Sequence, residues 1–367
     1  MPSSKKIKLI LEDGTEYEGL SFGYEKSKSG EVVFNTSMTG YVESLTDPSY
    51  RGQILVSTYP LVGNYGVPGE DKDANSLPLF LESDQIQVSG LVVSDYSFQY
   101  SHWNAKKSLA DWLQEYKVPG IYGIDTRALT KKLRESGTML GKIIIDDEDV
   151  PFFNPATENV VDEVSVKEIV RYGAGERRIV LVDCGVKNNI IRCFLKRGNI
   201  EVIRVPWDYD FTQLEYDGLF ISNGPGDPKT IQQTIDTIKK SIDTTDIPVF
   251  GICMGNLLLG LASGADTFKL KYGHRSHNQP AQQIGTHRCY ITSQNHGYAV
   301  DIEKVSGDWE PLFVNNNDNT CEGIKHKKRP IFSCQFHPEA AGGPTDTEFL
   351  FDDFLELVDT YKLSQQS

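Results

Sequence analysis

The sequence predicts an α/β protein of two domains, in which a smaller β-rich domain precedes a domain built on a parallel-rich sheet. The chain has 367 residues, about two and a half times the length of an average domain. Short β-branched runs separated by turn residues fill residues 1–146, whereas strand and helix patterns alternate from residue 177 to residue 367. That alternation is typical of a parallel sheet with helices on both faces.

Composition and charge restrict the possible classes of function. Hydrophobic residues make up 39% of the chain and charged residues 24%, which is typical of a globular protein. The formal net charge of −14 repels phosphate backbones, so nucleic acid is not expected as a general partner. No stretch approaches 18 apolar residues, so we expect no membrane span.

The cysteines and the first residues together predict a cytoplasmic location. Six cysteines occur, with none in the first half and no CxxC pair, which suits a reducing compartment better than a disulfide framework. The apolar run near the start is broken by Lys8 and stops at Glu12, so it does not fit the core of a signal peptide.

The first domain, residues 1–146, is predicted to begin with a β-hairpin around the turn dipeptide Asp13-Gly14. One helix is predicted over Thr126–Ser136, because Asp125 can cap its start and Gly137 its end. Its apolar stripe is predicted to be Ala128, Leu129 and Leu133. The predicted strands are Lys8–Leu11, Tyr17–Leu20, Glu31–Asn35, Gln53–Thr58, Ser89–Val93 and Gly141–Ile145.

Residues 147–176 are predicted to form a linker between the domains. They contain an acidic cluster, two prolines and the pair Gly173 and Gly175, with one short helical piece expected near Ser165–Arg171.

The second domain, residues 177–367, is predicted to alternate strands and helices. The strands are expected at Ile179–Val182, Val202–Val205, Leu219–Ser222, Ile247–Phe250 and Ile331–Cys334. The helices are expected at Asn188–Lys196, at Thr230–Ile242, from Leu257 onward, and near the end of the chain. A capping box over Thr345–Glu348 is predicted to open that last helix, whose apolar face would be Phe351, Phe354, Leu355 and Val358.

The strongest chemical signal is Gly251-Ile-Cys253-Met-Gly255, which joins an apolar strand to a helix. This pattern has the form of a nucleophile elbow, with cysteine in place of serine. The turn would present the Cys253 sulfur at a helix N-terminus, where the dipole favours a thiolate, and would aim the Met254 amide at a developing oxyanion. A buried structural cysteine beside an ordinary turn is the alternative interpretation.

Gln335-Phe-His337-Pro-Glu339 supplies a base and an orienting group for such a nucleophile. Residues two apart on an extended chain project to the same side, so Glu339 is predicted to reach the His337 ring. By itself, a His-Pro-Glu segment is more often a solvated loop.

A glycine-rich segment, Asn223-Gly-Pro-Gly-Asp-Pro228, follows the predicted strand Leu219–Ser222. Glycines at the carboxyl end of a strand allow a ligand to approach the backbone closely. Gly226 is a candidate for a second oxyanion amide, and a plain turn is the alternative. A Walker phosphate loop is excluded, because no Gly-Lys-Ser/Thr follows.

These motifs, with Ser293-Gln-Asn-His-Gly-Tyr298, resemble those of class I (triad-type) glutamine amidotransferases, whose glutaminase domain is flavodoxin-like. The chain from about residue 7 to residue 360 resembles, more narrowly, the small, glutamine-hydrolysing subunits of carbamoyl phosphate synthetases. The first domain carries this narrower resemblance through the segments at residues 11–15, 30–41, 45–50, 59–64 and 125–130.

The resemblance implies a catalytic triad of Cys253 as nucleophile, His337 as base and acid, and Glu339 as its orienting group. It also implies that glutamine is bound by Ser49, Gly224, Gly226, Met254, Asn295, Gly297 and Tyr298. The implied partner is a large ATP-using synthetase subunit that receives ammonia through a tunnel. No metal or cofactor is expected in this chain, with ATP and magnesium expected only in the partner. Use in arginine synthesis, pyrimidine synthesis or both is left open.

Leu257 is a departure from the family pattern, in which glutamine at that position touches the substrate. Because leucine has no hydrogen-bonding group, we expect weaker glutamine binding with the nucleophile retained. A non-catalytic scaffolding subunit and a stand-alone cysteine hydrolase are the rival hypotheses. His274, His277, His287 and Cys289 are candidate zinc ligands, but this set has no tight ligand pair, so a zinc site is not expected.

Overall fold

The computed structural model describes residues 5–365. The chain divides into two compact units, Met1–Glu158 and Asn159–Ser367. The boundary between them lies inside the predicted linker, so that residues 147–158 belong to the first unit and residues 159–176 to the second.

The described part of the first unit contains nine strands, three α-helices and a 3₁₀ turn at Pro48–Tyr50. The strands are β1 (Lys6–Leu11), β2 (Glu16–Ser21), β3 (Lys28–Asn35), β4 (Gln53–Ser57), β5 (Val67–Pro68), β6 (Gly90–Val93), β7 (Ala105–Lys107), β8 (Gly120–Tyr122) and β9 (Met139–Ile144). The helices are α1 (Tyr41–Thr46), α2 (Leu109–Glu115) and α3 (Thr126–Ser136).

Seven of these described strands close into a barrel in the order β1-β2-β8-β6-β4-β3-β9. The predicted hairpin is confirmed, because β1 pairs with β2 in antiparallel register and Gly14 takes a positive φ of 84° in the turn. Strands β3, β4 and β6 run parallel to one another, so their carboxyl ends meet at one end of the barrel.

Helix α3 confirms the predicted bounds and caps. The Asp125 side chain accepts a hydrogen bond from the Ala128 N–H, and Gly137 ends the helix with φ 100°. Its predicted apolar stripe is wrong at one position, because Ala128 is exposed, whereas Thr126 is buried beside Leu129 and Leu133.

The helical piece predicted at Ser165–Arg171 is wrong. Residues 167–169 are irregular, and β10 (Val170–Tyr172) pairs antiparallel with the strand at Ile200–Pro206. The Val166 N–H donates to the Asp183 carboxylate at 2.8 Å, so this segment is tied to the sheet instead of forming a turn of helix.

The remaining described strands of the second unit are β11 (Arg177–Asp183), β12 (Ile200–Pro206), β13 (Gly218–Ile221), β14 (Val249–Ile252), β15 (Thr267–Gln283), β16 (Cys289–Val300), β17 (Trp309–Asn315), β18 (Cys321–His326) and β19 (Ile331–Cys334). Its α-helices are α4 (Asn188–Leu195), α5 (Gln232–Thr244), α6 (Met254–Ala262) and α7 (Leu350–Gln365), with 3₁₀ turns at Phe211–Gln213, Pro228–Thr230 and Ile302–Lys304.

These strands form one sheet in the order β10-β12-β11-β13-β14-β19-β18-β16-β15-β17. The predicted parallel sheet is confirmed over β12, β11, β13, β14 and β19. The antiparallel extension of β15 to β18 was not predicted, and it contains most of the chain between residues 267 and 326. Its long strands carry many polar side chains, which conceal the period-2 pattern of a half-buried strand.

The last helix confirms the predicted apolar face, since Phe351, Phe354, Leu355 and Val358 are all buried. The predicted capping box is wrong, because α7 begins only at Leu350 and the Glu348 carboxylate pairs with Arg197 and Lys196. Among residues 5–365, the structure contains no helix that is both long enough and apolar enough to cross a membrane.

Candidate active site

Cys253 lies in a sharp turn between β14 and α6, as the predicted elbow requires. Its φ of 55° and ψ of −101° place a non-glycine residue at a positive φ, a strained state that clusters at functional sites. Small neighbours permit this turn. A Cβ at Gly255 would collide with the Ile221 carbonyl oxygen, and one at Gly251 would lie 2.7 Å from the Gly255 carbonyl group.

The Cys253 side chain is 3% exposed and points towards β16. Its Sγ lies 3.7 Å from the carbonyl oxygen of Asn295. The backbone N–H of Cys253 donates to the Cys334 carbonyl oxygen at 2.8 Å, which joins the elbow to the end of β19. The strained turn is therefore held by the two strands that bring the other predicted site residues.

His337 and Glu339 follow β19 and are both 1% exposed. The predicted contact between them is present, with Nδ1 of His337 2.7 Å from Oε1 of Glu339. The His337 backbone N–H donates to the Ser293 carbonyl oxygen at 2.9 Å, which attaches this segment to β16. The Glu339 carboxylate thus contacts one ring nitrogen of His337, and the other ring nitrogen, Nε2, faces the nucleophile.

Lys187 is a member of this cluster that the sequence reasoning missed. Its Nζ lies 2.8 Å from Oε1 of Glu339, and only 9% of its side chain is exposed. Lys187 follows β11 and immediately precedes α4, so it reaches the site from the carboxyl edge of the parallel sheet. That placement after a buried parallel strand was the available signal, because ligands and reactive groups of such sheets gather at this edge.

The charges of this buried cluster stabilise one another. Burial alone would raise the pKa of Glu339, but the positive charges of Lys187 and His337 outweigh it and lower the pKa to about 2. For His337, burial and Lys187 lower the pKa, whereas the negative charges of Glu339 and Cys253 raise it, and the net effect is a pKa well above the usual histidine value. The arrangement therefore favours imidazolium between a carboxylate and the cysteine sulfur.

Two buried polar atoms of the cluster have no hydrogen-bond partner among the described residues. They are Nε2 of His337 and Oε2 of Glu339. Buried polar atoms are seldom left unpaired, since each costs about 1–3 kcal/mol. His337 Nε2 is the atom that a general base would present to a nucleophile or a leaving group.

The glycine-rich segment after β13 lies one strand away from the elbow. Gly224 packs against the Cys184 carbonyl group so closely that a Cβ would collide with it, and Gly226 has φ 81°. The Asn223 side-chain oxygen accepts from the Lys187 N–H at 3.2 Å, which links this loop to the charged cluster. The oxyanion role of Gly226 stays a prediction.

The other predicted glutamine contacts lie in different parts of the chain. Met254 is the first residue of α6 and is 1% exposed, whereas Asn295, Gly297 and Tyr298 lie on β16. Ser49 belongs to the first unit, where its N–H donates to Asp47 Oδ1 at 2.9 Å within the 3₁₀ turn. The contacts of all five residues with glutamine stay predictions.

Comparison with known proteins identifies both units. The model described as carbamoyl-phosphate synthase small chain, CPSase domain, matches residues 9–143, and the model described as glutamine amidotransferase class-I matches residues 180–357. The arginine-specific small chain of carbamoyl phosphate synthase from Saccharomyces cerevisiae is 51% identical, and the match covers 100% of this chain and 92% of that protein. The chain belongs to the carbamoyl-phosphate synthase small-chain family.

Other relatives carry this small-chain region within much longer proteins. Multifunctional protein ura1 of Schizosaccharomyces pombe is 49% identical over 98% of this chain, which spans 17% of that protein. The mitochondrial carbamoyl-phosphate synthase (ammonia) of Mus musculus is 51% identical over 97% of this chain, which spans 24% of that protein.

The residue that departs from the small-chain pattern, Leu257, is 3% exposed on the first turn of α6 and belongs to the apolar core of the second unit. The preceding Asn256 donates to the Gln335 side chain at 2.7 Å and accepts from the Ser333 hydroxyl at 2.8 Å. Asn256 thus ties α6 to β19, while Leu257 contributes apolar packing only.

Among the described residues, the candidate zinc ligands do not come together. His287 and Cys289 are exposed near the β15–β16 turn, and His274 instead joins a buried group that we name the strand cluster: His274, Gln294, His296 and Glu322. The amide oxygen of Gln294 lies 3.0 Å from a ring nitrogen of each histidine, and its amide nitrogen donates to Glu322 at 2.9 Å. Both outer ring nitrogens are also paired, with Asp318 and with the Tyr298 carbonyl oxygen.

Proposed function

We propose that this chain is the glutaminase subunit of a carbamoyl phosphate synthetase, which hydrolyses L-glutamine through a cysteine thioester. The observation that carries the proposal is the strained elbow of Cys253 beside the His337–Glu339 pair, whose contact is 2.7 Å. A buried structural cysteine needs neither a positive φ nor a charged histidine.

In the first half of the reaction, the Cys253 sulfur attacks the side-chain amide carbon of glutamine. The oxyanion that forms is stabilised by backbone amides of Met254 and Gly226, and one such donor is typically worth about 3 kcal/mol. When the carbon–nitrogen bond breaks, Nε2 of His337 gives its proton to the departing ammonia. A glutamyl thioester on Cys253 remains.

In the second half, His337 has lost its proton and acts as a base. It takes a proton from water, and the resulting hydroxide attacks the thioester carbon. Glutamate leaves, and the sulfur of Cys253 is regenerated. Glu339 holds the ring orientation and compensates the imidazolium charge, and Lys187 keeps Glu339 ionised throughout, which the low pKa of Glu339 supports.

We further propose that the ammonia passes to a large synthetase subunit, in which ATP and magnesium are used, while this chain needs no cofactor of its own. The small-chain family and the occurrence of this region inside longer relatives support that division of labour. A cytoplasmic location is part of the proposal, because the nucleophile and the five other cysteines are free thiols. Cell fractionation would test it.

The test is release of glutamate from glutamine by the purified chain, with and without its large subunit. Cys253→Ala should abolish release, whereas Cys193→Ala, which removes another buried thiol, should retain it. Activity that survives in Cys253→Ala would overturn the proposed nucleophile.

A second candidate, a scaffolding subunit with a degenerate glutamine pocket, is favoured by Leu257. In that case the complex would make carbamoyl phosphate from added ammonia but not from glutamine. The intact charges around His337 argue against it, because a degenerate site has no need to keep Lys187 and Glu339 buried as an ion pair.

A further inference from the structure

The first unit contains a cationic pocket that the proposed glutaminase reaction does not use. Its volume is about 380 Å³, and it is lined by threonine, arginine and lysine residues alone. Volumes of about 300–1,000 Å³ are typical of pockets for small molecules. A concentration of cations is unexpected on a chain whose formal net charge is −14.

One wall of the pocket is helix α3, which presents Arg127, Lys131 and Arg134 to it. These positions are four and three residues apart, so they share one face of the helix. Neither Arg127 nor Lys131 forms an ion pair with another residue in the range 5–365. An anion bound between these two side chains would be attracted by both charges.

The opposite wall is formed where the parallel strands β3 and β4 end. Their last residues, Asn35 and Ser57, are register partners, and Thr36 and Thr58 follow them into the pocket. The Thr58 hydroxyl donates to the Asn35 carbonyl oxygen at 3.1 Å and fixes this wall. The carboxyl ends of parallel strands are a recurrent place for ligands.

A hydroxyl of α3 beside the pocket is unpaired. Oγ1 of Thr130 is buried and has no hydrogen-bond partner among the described residues, although a threonine in a helix commonly donates to the carbonyl oxygen one turn earlier. Thr130 lies on α3 between Arg127 and Lys131, and all three residues line the pocket.

We propose that this pocket binds a phosphorylated small molecule. The Arg127 guanidinium group, the Lys131 ammonium group and the Thr36 hydroxyl supply more donors than a single carboxylate can accept, whereas a phosphate monoester carries three acceptor oxygens and a charge near −2. The pocket is larger than inorganic phosphate requires, so an organic moiety accompanies the phosphate.

The test is calorimetric titration of the full chain at low salt, where charge screening is weakest, with inorganic phosphate, ribose 5-phosphate and ribose. We expect saturable binding of ribose 5-phosphate, weaker binding of phosphate, and none of ribose. Arg127→Gln/Lys131→Gln should weaken binding at least about ten-fold, because it removes two charged donors. The charge-matched control Lys239→Gln/Lys328→Gln changes two exposed lysines in the second unit and should not weaken binding.

Absence of saturable binding, or equal weakening in both double variants, would overturn the proposal. A third result would also overturn the proposal: ribose 5-phosphate does not bind, and Arg127→Gln/Lys131→Gln weakens association with a large synthetase subunit. The pocket would then bind an acidic protein surface. Glutamine hydrolysis is measured on the same variants and should be unchanged. Failure of the glutaminase proposal would therefore not overturn the pocket proposal, and failure of the pocket proposal would not overturn the glutaminase proposal.

Discussion

The second unit contains two buried groups of titratable side chains, and they differ in how completely they are paired. In the strand cluster, each ring nitrogen of His274 and His296 lies within 3.0 Å of an oxygen of another residue. In the group around Cys253, by contrast, Nε2 of His337 and Oε2 of Glu339 have none among the described residues. Burial and residue type alone do not distinguish the two groups.

The difference separates a structural role from a chemical one. A connected polar network makes strands rigid, and the strand cluster holds β16 on both sides of Asn295, the residue whose carbonyl oxygen contacts the Cys253 sulfur. An unpaired buried nitrogen on a charged histidine costs stability and is kept where a reaction uses it. The strand cluster therefore positions β16, which the group around Cys253 requires.

The same isosteric change in each group should give opposite results, and this is the largest effect we expect. Glu339→Gln leaves Lys187 and His337 without their carboxylate, so kcat for glutamine hydrolysis should fall by about 10²–10⁴-fold. Glu322→Gln should change kcat only a few-fold, because the Glu322 side chain accepts its hydrogen bonds from Gln294 and Asn315 of the antiparallel strands.

Steady-state assays of both variants with purified protein check this contrast. Equal losses of kcat in Glu339→Gln and Glu322→Gln would show that the strand cluster takes part in the chemistry, and that the distinction by unpaired atoms is mistaken.

The close packing at the elbow can be tested by measuring the free energy of unfolding. Gly255→Ala places a Cβ against the Ile221 carbonyl group, which is backbone and has little room to move, so we expect a loss of about 1–3 kcal/mol in the free energy of unfolding. Gly260→Ala, on the same helix, meets only the Val300 side chain at 2.9 Å and should lose less. Denaturant unfolding of both variants measures this, and a larger loss for Gly260→Ala would contradict the packing argument.

The strand cluster should make the stability of the protein depend on pH. Burial lowers the pKa of His274, but hydrogen bonds to Asp318 and Glu322 outweigh it and raise the pKa to about 9. A raised pKa in the folded state stabilises the fold fully below the unfolded value of about 6.5, and that contribution is lost as pH rises through about 9.

Asp318→Asn should therefore destabilise the protein by about 1–2 kcal/mol at pH 6, and the difference from the parent chain should shrink as pH rises towards 9. Asn retains an oxygen for the Thr320 N–H and hydroxyl, so the turn is preserved. Thermal unfolding at pH 6 and pH 9 checks the sign. A difference that grows with pH would mean that His274 is neutral in the folded protein.

The sequence predicted the parallel core, helix α3, the turn at Cys253 and the contact between His337 and Glu339, because each depends on local patterns. A buried strand that leads into Gly-x-Cys-x-Gly predicts the turn by itself. His337 and Glu339 are two positions apart, so their contact also follows from the local sequence. Lys187 was missed because it lies 152 residues before Glu339 in the chain, and only the fold joins them. The antiparallel strands β15 to β18 were missed for the related reason that their buried polar residues pair with one another across strands.

Leu257 gives the smallest expected effect and bears on how glutamine is held beside the triad. We expect Leu257→Gln to lower KM for glutamine by up to about ten-fold, since one added hydrogen bond is worth about 1–1.5 kcal/mol. The value of kcat should stay the same, because a contact made equally in the bound substrate and the transition state does not change the barrier between them.

The structure adds a cost that the sequence did not reveal. Leu257 is 3% exposed in the apolar core, so an amide placed there without a partner should destabilise the fold by about 1–3 kcal/mol. Leu257→Met is the matched control, since it keeps the position apolar at similar volume and should leave KM unchanged. A lower KM together with lower stability would show that this chain gave up a glutamine contact for core packing. An unchanged KM in Leu257→Gln would show that the side chain at this position faces only the core, and that glutamine binding depends on β16 and the elbow.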